Sequence, residues 1–179
     1  MRRKLVIALA VCVLAGSADA QERRYRDQIM GTAAPSVFDT NGDGVPAHYV
    51  TFQGTSNYGP VHGAFLVEYD FLKMAPHADC PAGTVKVPIV VSASTRAVTV
   101  QDSQLFLKDE SESARFCLNA QTGSFTMSLK GAFAGGTGRF QGAGGTYQYR
   151  GGGQVLVMDK AGLPFGGFSV STEGVVVLP

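Results

Sequence analysis

The chain has 179 residues, with 15 Lys and Arg against 14 Asp and Glu, and 23 glycines but no tryptophan. Its near neutrality leaves no basic surface for neutralising phosphates, which supplies most nucleic-acid affinity, so nucleic acid is not an expected partner. The length suits one domain with a genuine core rather than two.

In chain order, residues 1–20 come first, MRRKLVIALAVCVLAGSADA, with a basic start at Arg2, Arg3 and Lys4 and an apolar run from Leu5 to Ala15. Ala18 and Ala20 complete an A-x-A cleavage signal, so this stretch reads as a signal peptide removed before Gln21. The apolar run falls short of the roughly 20 residues a transmembrane helix needs, and no later stretch approaches it. The expectation is an exported protein, periplasmic or extracellular, with no stable membrane insertion. Residues 21–36, QERRYRDQIMGTAAPS, are charged and then small, with no sustained period. They read as a flexible N-terminal arm preceding a β-barrel domain at 37–179.

From Val37 onward, β-branched and aromatic residues recur in short runs broken by Gly, Pro, Asn and Asp, which is all-β spacing. In GAFLVEYDFL the period of two puts Phe65, Val67, Tyr69 and Phe71 on one face, with Leu66, Glu68, Asp70 and Leu72 on the other. Pro88 belongs at a strand start or an edge, since it cannot donate to a ladder. LFLKDESESARF has room for one helical turn, but its acidic centre reads more naturally as a hairpin loop. About nine strand candidates emerge, none alternating with a helical pattern. Barrel closure is the usual way for a sheet of this size to lose its edges, so the predicted fold is a single small antiparallel barrel of about eight strands.

The stretch GGTGRFQGAGG packs six glycines into residues 135–145. A phosphate loop would need Lys and a hydroxyl where Gln141 and Gly142 stand, and a dinucleotide fingerprint would need a third glycine at Gln141. A tight turn between strands fits instead. The wider segment AFAGGTGRFQGAGGTYQYRG resembles the glycine-rich hairpin of allene oxide cyclases and dirigent proteins, in which G-G-[TA]-G-x-F-x-G-A-x-G joins two barrel strands. Gly135, Gly136, Thr137, Gly138, Phe140, Gly142, Ala143 and Gly145 stand in matching places. The resemblance, to exported bacterial-type members among others, implies an eight-stranded barrel whose interior takes an apolar molecule. In these families that molecule is a fatty-acid epoxide to be cyclised or phenoxy radicals to be coupled. It also implies a catalytic Glu on an early strand, which LVEYD supplies as Glu68 with Asp70 as its neighbour; if their face is instead the solvent face, both are ordinary surface charges. Homo-oligomers formed through an exposed edge strand are implied in the same way.

Cys12 leaves with the signal, and Cys80 and Cys117 remain as an even pair in an oxidising compartment, the expected disulfide. The rival pairing of Cys80 with His77 on a metal lacks a second pair at zinc spacing. In DTNGDG, Asp39, Asn41, Asp43 and the carbonyl of Val45 occupy positions 1, 3, 5 and 7 of a calcium loop, but Val50 stands where a bidentate Glu is expected. The alternative is an Asx-stabilised turn. His48, His62 and His77 share no ligand spacing, and no G-x-S-x-G elbow occurs.

No cofactor other than calcium is suggested, and no reaction is assignable from motifs. The residues support an exported barrel that binds a small apolar ligand or serves as a scaffold. The alternatives are a cyclase-like isomerase using a pocket acid, and a calcium-stabilised surface interaction protein.

Overall fold

A computed structural model describes residues 20–40, 42–90, 96–160 and 162–179. The expected signal peptide lies outside the described residues, apart from Ala20. Among the described residues eleven strands follow in order: β1 Gln21–Pro35, β2 His48–Ser56, β3 Gly59–Tyr69, β4 Val85–Lys86, β5 Ile89–Val90, β6 Arg96–Val100, β7 Ser103–Asp109, β8 Arg115–Leu118, β9 Ser124–Gly136, β10 Gly144–Met158 and β11 Pro164–Leu178.

Hydrogen bonding runs β10-β11-β1-β2-β3-β6-β7-β9, and β9 pairs back to β10, so eight antiparallel strands close into a barrel. Closure gives each barrel strand a partner on both sides, as the all-β pattern predicted, although β3 and β6 pair only at Val61–Val100 and His62–Thr99. The other three strands extend the wall at one end. β8 continues along β9 beyond β7, β4 pairs β8, and β5 pairs the end of β3. Pro88 stands between β4 and β5, clear of both short ladders.

Two sequence expectations are corrected. Residues 21–35 are not a flexible arm: β1 is a 15-residue strand paired to β11 on one side and β2 on the other. Its charges had masked the pattern, because Arg24, Arg26 and Gln28 face solvent while Tyr25, Asp27 and Ile29 face inward. The acidic segment 110–114 is likewise no hairpin loop. β7 and β8 both pair with the same edge of β9, so the segment is a bulge in one interrupted strand. Ser113 fills the gap in the ladder: its hydroxyl accepts from Lys130 N at 2.8 Å, while Glu110 N donates to Lys130 O at 2.9 Å.

One end of the barrel is closed by aromatics. Tyr25, Tyr58, Phe133 and Phe140 meet with ring centroids 5.3 to 6.0 Å apart, each contact contributing about 0.5–1.5 kcal/mol beyond area burial. Phe140, fully buried, is carried here by the glycine run, in which a 3-10 turn, Gly138–Phe140, links β9 to β10. Arg139 clamps that turn to the neighbouring hairpins through Tyr58 O at 3.2 Å, Gln101 at 3.0 Å and Asp102 at 3.1 Å. At Gly145, φ is +109° and a Cβ would strike the Val175 carbonyl, so both conformation and space require glycine there. The glycine hairpin is thus the plug of the closed end. Cys80 and Cys117 are bridged, tying the loop after β3 to β8.

Candidate functional site

Strand alternation delivers side chains from both faces of the chain's polarity into the barrel. β1 contributes Tyr25, Asp27 and Ile29; β6 contributes Arg96 and Val98; β7 contributes Leu107 and Asp109; β10 contributes Tyr147 and Tyr149. They wall a cavity that leaves about 70 Å³ to the centre of a water-sized sphere. By that measure one water needs on the order of 10–15 Å³, so the space takes several waters or a small organic group. Most of the wall is apolar, including Phe52, Phe65, Met127, Leu129, Phe168 and Val170.

Into this apolar chamber the fold places an ion pair. Arg96 Nη2 donates to Asp109 Oδ1 at 2.7 Å, and Arg96 Nε lies 2.6 Å from Oδ2 without the alignment of a hydrogen bond. Their side chains are only 11% and 5% exposed. Tyr147 donates its hydroxyl to the same Asp109 carboxylate. The guanidinium also lies 4.7 Å from the Phe65 ring centroid and 5.8 Å from that of Tyr149, cation–π contacts that soften its burial. Burial works against the Arg96 charge, but Asp109 and the two tyrosines outweigh it and its pKa is raised. Gly131 makes room for this arrangement, since a Cβ there would meet the Tyr147 hydroxyl and lie 2.5 Å from Lys108 O.

Asp27 forms a second polar centre. It accepts from the Tyr25 hydroxyl at 2.9 Å and from Thr172 N at 3.1 Å. Burial raises its pKa, against the lowering effect of those bonds and of the Arg96 charge. Burial likewise raises the phenols: Tyr149 is pushed up to about 12, and Tyr25, Tyr69 and Tyr147 go higher still. The chamber therefore offers neutral phenol donors, one fixed cation, and carboxylates of which Asp27 holds its proton more tightly than usual. That set can grip the polar end of an otherwise apolar molecule, or exchange a proton with it at Asp27.

The acids singled out from LVEYD are elsewhere. Glu68 is fully buried but outside the chamber, where it accepts from Thr40 N at 3.0 Å and from the Thr40 hydroxyl, tying the loop after β1 to β3. Asp70 caps the 3-10 turn Phe71–Lys73 and pairs with Lys73 Nζ at 2.6 Å. The bond from Lys73 lowers its pKa, the reverse of what an acid in an apolar interior would show. The period of two explains both positions: Phe65, Val67 and Tyr69 take the inner face, leaving Glu68 and Asp70 on the outer one.

In the DTNGDG loop, Asp39 accepts from Gly42 N, Asp43 N and Gly44 N at 2.7 to 3.2 Å, and Asp43 accepts from Val45 N at 2.8 Å. These are the bonds of an Asx turn. Asn41 lies outside the described residues. Among the described residues, no three His, Cys, Asp or Glu side chains gather closely enough to hold a metal.

Asp27, Arg96, Asp109 and Tyr147 were not anticipated from the sequence. Their shared signal is a polar residue continuing an apolar alternation, as in Tyr25-Asp27-Ile29, Arg96-Val98-Val100 and Leu105-Leu107-Asp109.

The fold and chamber together define a class, a closed eight-stranded antiparallel barrel with a polar cluster set in an apolar interior. No protein-family model matches the chain, and no curated protein sequence matches it. Among solved structures, the chain is similar to a pterocarpan synthase dirigent protein, at 14% identity over 97% of this chain and 99% of that one, with a TM-score of 0.31. The fold assignment rests on the strand order and not on that similarity.

Proposed function

We propose that this chain is an exported barrel that binds, inside its closed sheet, a small and mostly apolar molecule bearing one polar end. The observation that carries the reading is the Arg96–Asp109–Tyr147 cluster on the wall of an apolar cavity. A buried ion pair is a poor stabiliser, since well-packed apolar side chains of similar volume do as well or better. Its placement beside open space, rather than within packed core, supports a recognition role. The Cys80–Cys117 bridge supports an oxidising compartment, in keeping with the signal-like first 20 residues.

The test is titration with 1-hexanol, followed through the methyl resonances of Ile29, Leu129 and Val170. Saturable shifts at these methyls, removed by Val170→Trp, which fills the chamber, are expected. Interior methyls that do not respond contradict the reading. A second reading, acid–base turnover of the bound molecule, is favoured by one observation: Asp27 faces the cavity with a raised proton affinity. It predicts that Asp27→Asn keeps ligand affinity and loses turnover, and turnover persisting in that variant contradicts it.

A further inference from the structure

A second compartment lies at the other end of the barrel, where β1 and β3 end and β2 and β11 begin. His48, the first residue of β2, is 1% exposed. Its ring stands edge-on to Tyr69 at 5.2 Å and tilted to Phe71 at 5.9 Å. A cavity leaving about 30 Å³ to water-sized centres lies against it, walled otherwise by apolar groups such as Phe116, Phe125 and Val155.

The hydrogen bonding of His48 fixes its tautomer. Nε2 lies 3.1 Å from the Pro164 carbonyl, which can only accept, so Nε2 carries the hydrogen. Burial lowers the pKa of the imidazole, against the Pro164 carbonyl and Asp159, so the ring is held towards its neutral form. Nδ1 is then a bare acceptor, and it is buried with no hydrogen-bond partner among the described residues. Besides Nδ1, the polar side chain of the wall is Tyr69, so the space holds few partners for a water. Exposed apolar side chains gather at this end as well, with Leu72 95% and Leu156 63% exposed beyond the ends of β3 and near the end of β10.

We propose that His48 is the recognition residue of a second ligand subsite, in which Nδ1 accepts a hydrogen bond from a hydroxyl or N–H of an otherwise apolar molecule. The subsite adjoins the main chamber, with Tyr69, Phe116, Met127 and Phe168 shared between the two walls. It rests on the interior reading only in requiring that small apolar molecules enter the barrel. A donor-bearing ligand satisfies Nδ1, whereas a hydrocarbon of the same shape leaves it unpaired and is discriminated against.

The test uses the folded, 15N-labelled chain and two isosteric probes, benzyl alcohol and ethylbenzene. Benzyl alcohol is expected to move the His48 Nδ1 resonance and ethylbenzene to leave it in place. His48→Phe keeps an aromatic ring and removes the acceptor. It should lower the affinity for benzyl alcohol relative to ethylbenzene by about tenfold. Should that variant fail to fold, the Nδ1 resonance of the native chain decides alone. Probes that bind while Nδ1 stays unmoved overturn the His48 subsite and leave the interior reading standing. Failure of both probes to bind at their solubility limits overturns both.

Discussion

Asp109→Ala puts the interior cluster to its most direct energetic test. The substitution leaves the Arg96 guanidinium in a wall where it is 11% exposed, and Arg96 cannot shed its proton there. Removing one partner of a buried pair costs about 3–5 kcal/mol. The ring faces of Phe65 and Tyr149 remain beneath the cation, placing the expected loss in the lower half of that range. At roughly 2–4 °C per kcal/mol for a domain of this size, the melting temperature should fall by about 6–15 °C. Arg96→Met combined with Asp109→Leu removes both charges and leaves only the Tyr147 hydroxyl unpaired, so it should recover about half or more of that loss. Urea denaturation followed by circular dichroism, with the m-value checked for constancy, measures both. If Asp109→Ala costs less than about 1 kcal/mol, or the double variant is as damaged as the single, the reasoning fails.

Cys80→Ser with Cys117→Ser opens a loop of 37 residues' separation, and on the chain-entropy account should cost about 4 kcal/mol; a melting temperature within about 3 °C of native contradicts this. Gly131→Ala drives a methyl into Tyr147 and Lys108 O, with an expected loss of about 1–3 kcal/mol by overpacking and an unchanged transition as the contrary result. Because burial raises the Asp27 pKa above its ordinary 3.8, the folded state binds that proton more tightly than the unfolded chain. The resulting stability is full below the ordinary value and lost as pH rises through the folded one. Asp27→Asn should therefore gain on the native chain as pH climbs from about 4, and a difference independent of pH contradicts the assignment.

Periodicity of two was the most informative feature of the sequence, and it failed only where charge interrupted it. The strands around Phe65 and Tyr147 were legible because apolar and aromatic residues marked their inner faces. β1 was not, because Arg23, Arg24, Arg26 and Asp27 crowd five positions, with Arg23 and Asp27 on the inner-face parity beside the outward Arg24 and Arg26. The same crowding hid Asp27, and so one of the two polar centres of the chamber. Alternation placed Glu68 on the face opposite Phe65, Val67 and Tyr69, but not its burial there, because the Thr40 loop that covers this outer face comes from a distant part of the chain. The bulge at 110–114 was unreadable for a different reason. Whether two strand segments pair with each other or share a third is a long-range matter, here settled by Ser113 reaching the Lys130 amide.

Native mass spectrometry of the protein, purified without added ligand and then gently denatured, tests the central claim most directly. The account predicts a co-purifying small, largely apolar molecule carrying a hydrogen-bonding group, and its loss from the Val170→Trp variant. A bare native protein, indistinguishable in bound mass from that variant, would contradict it.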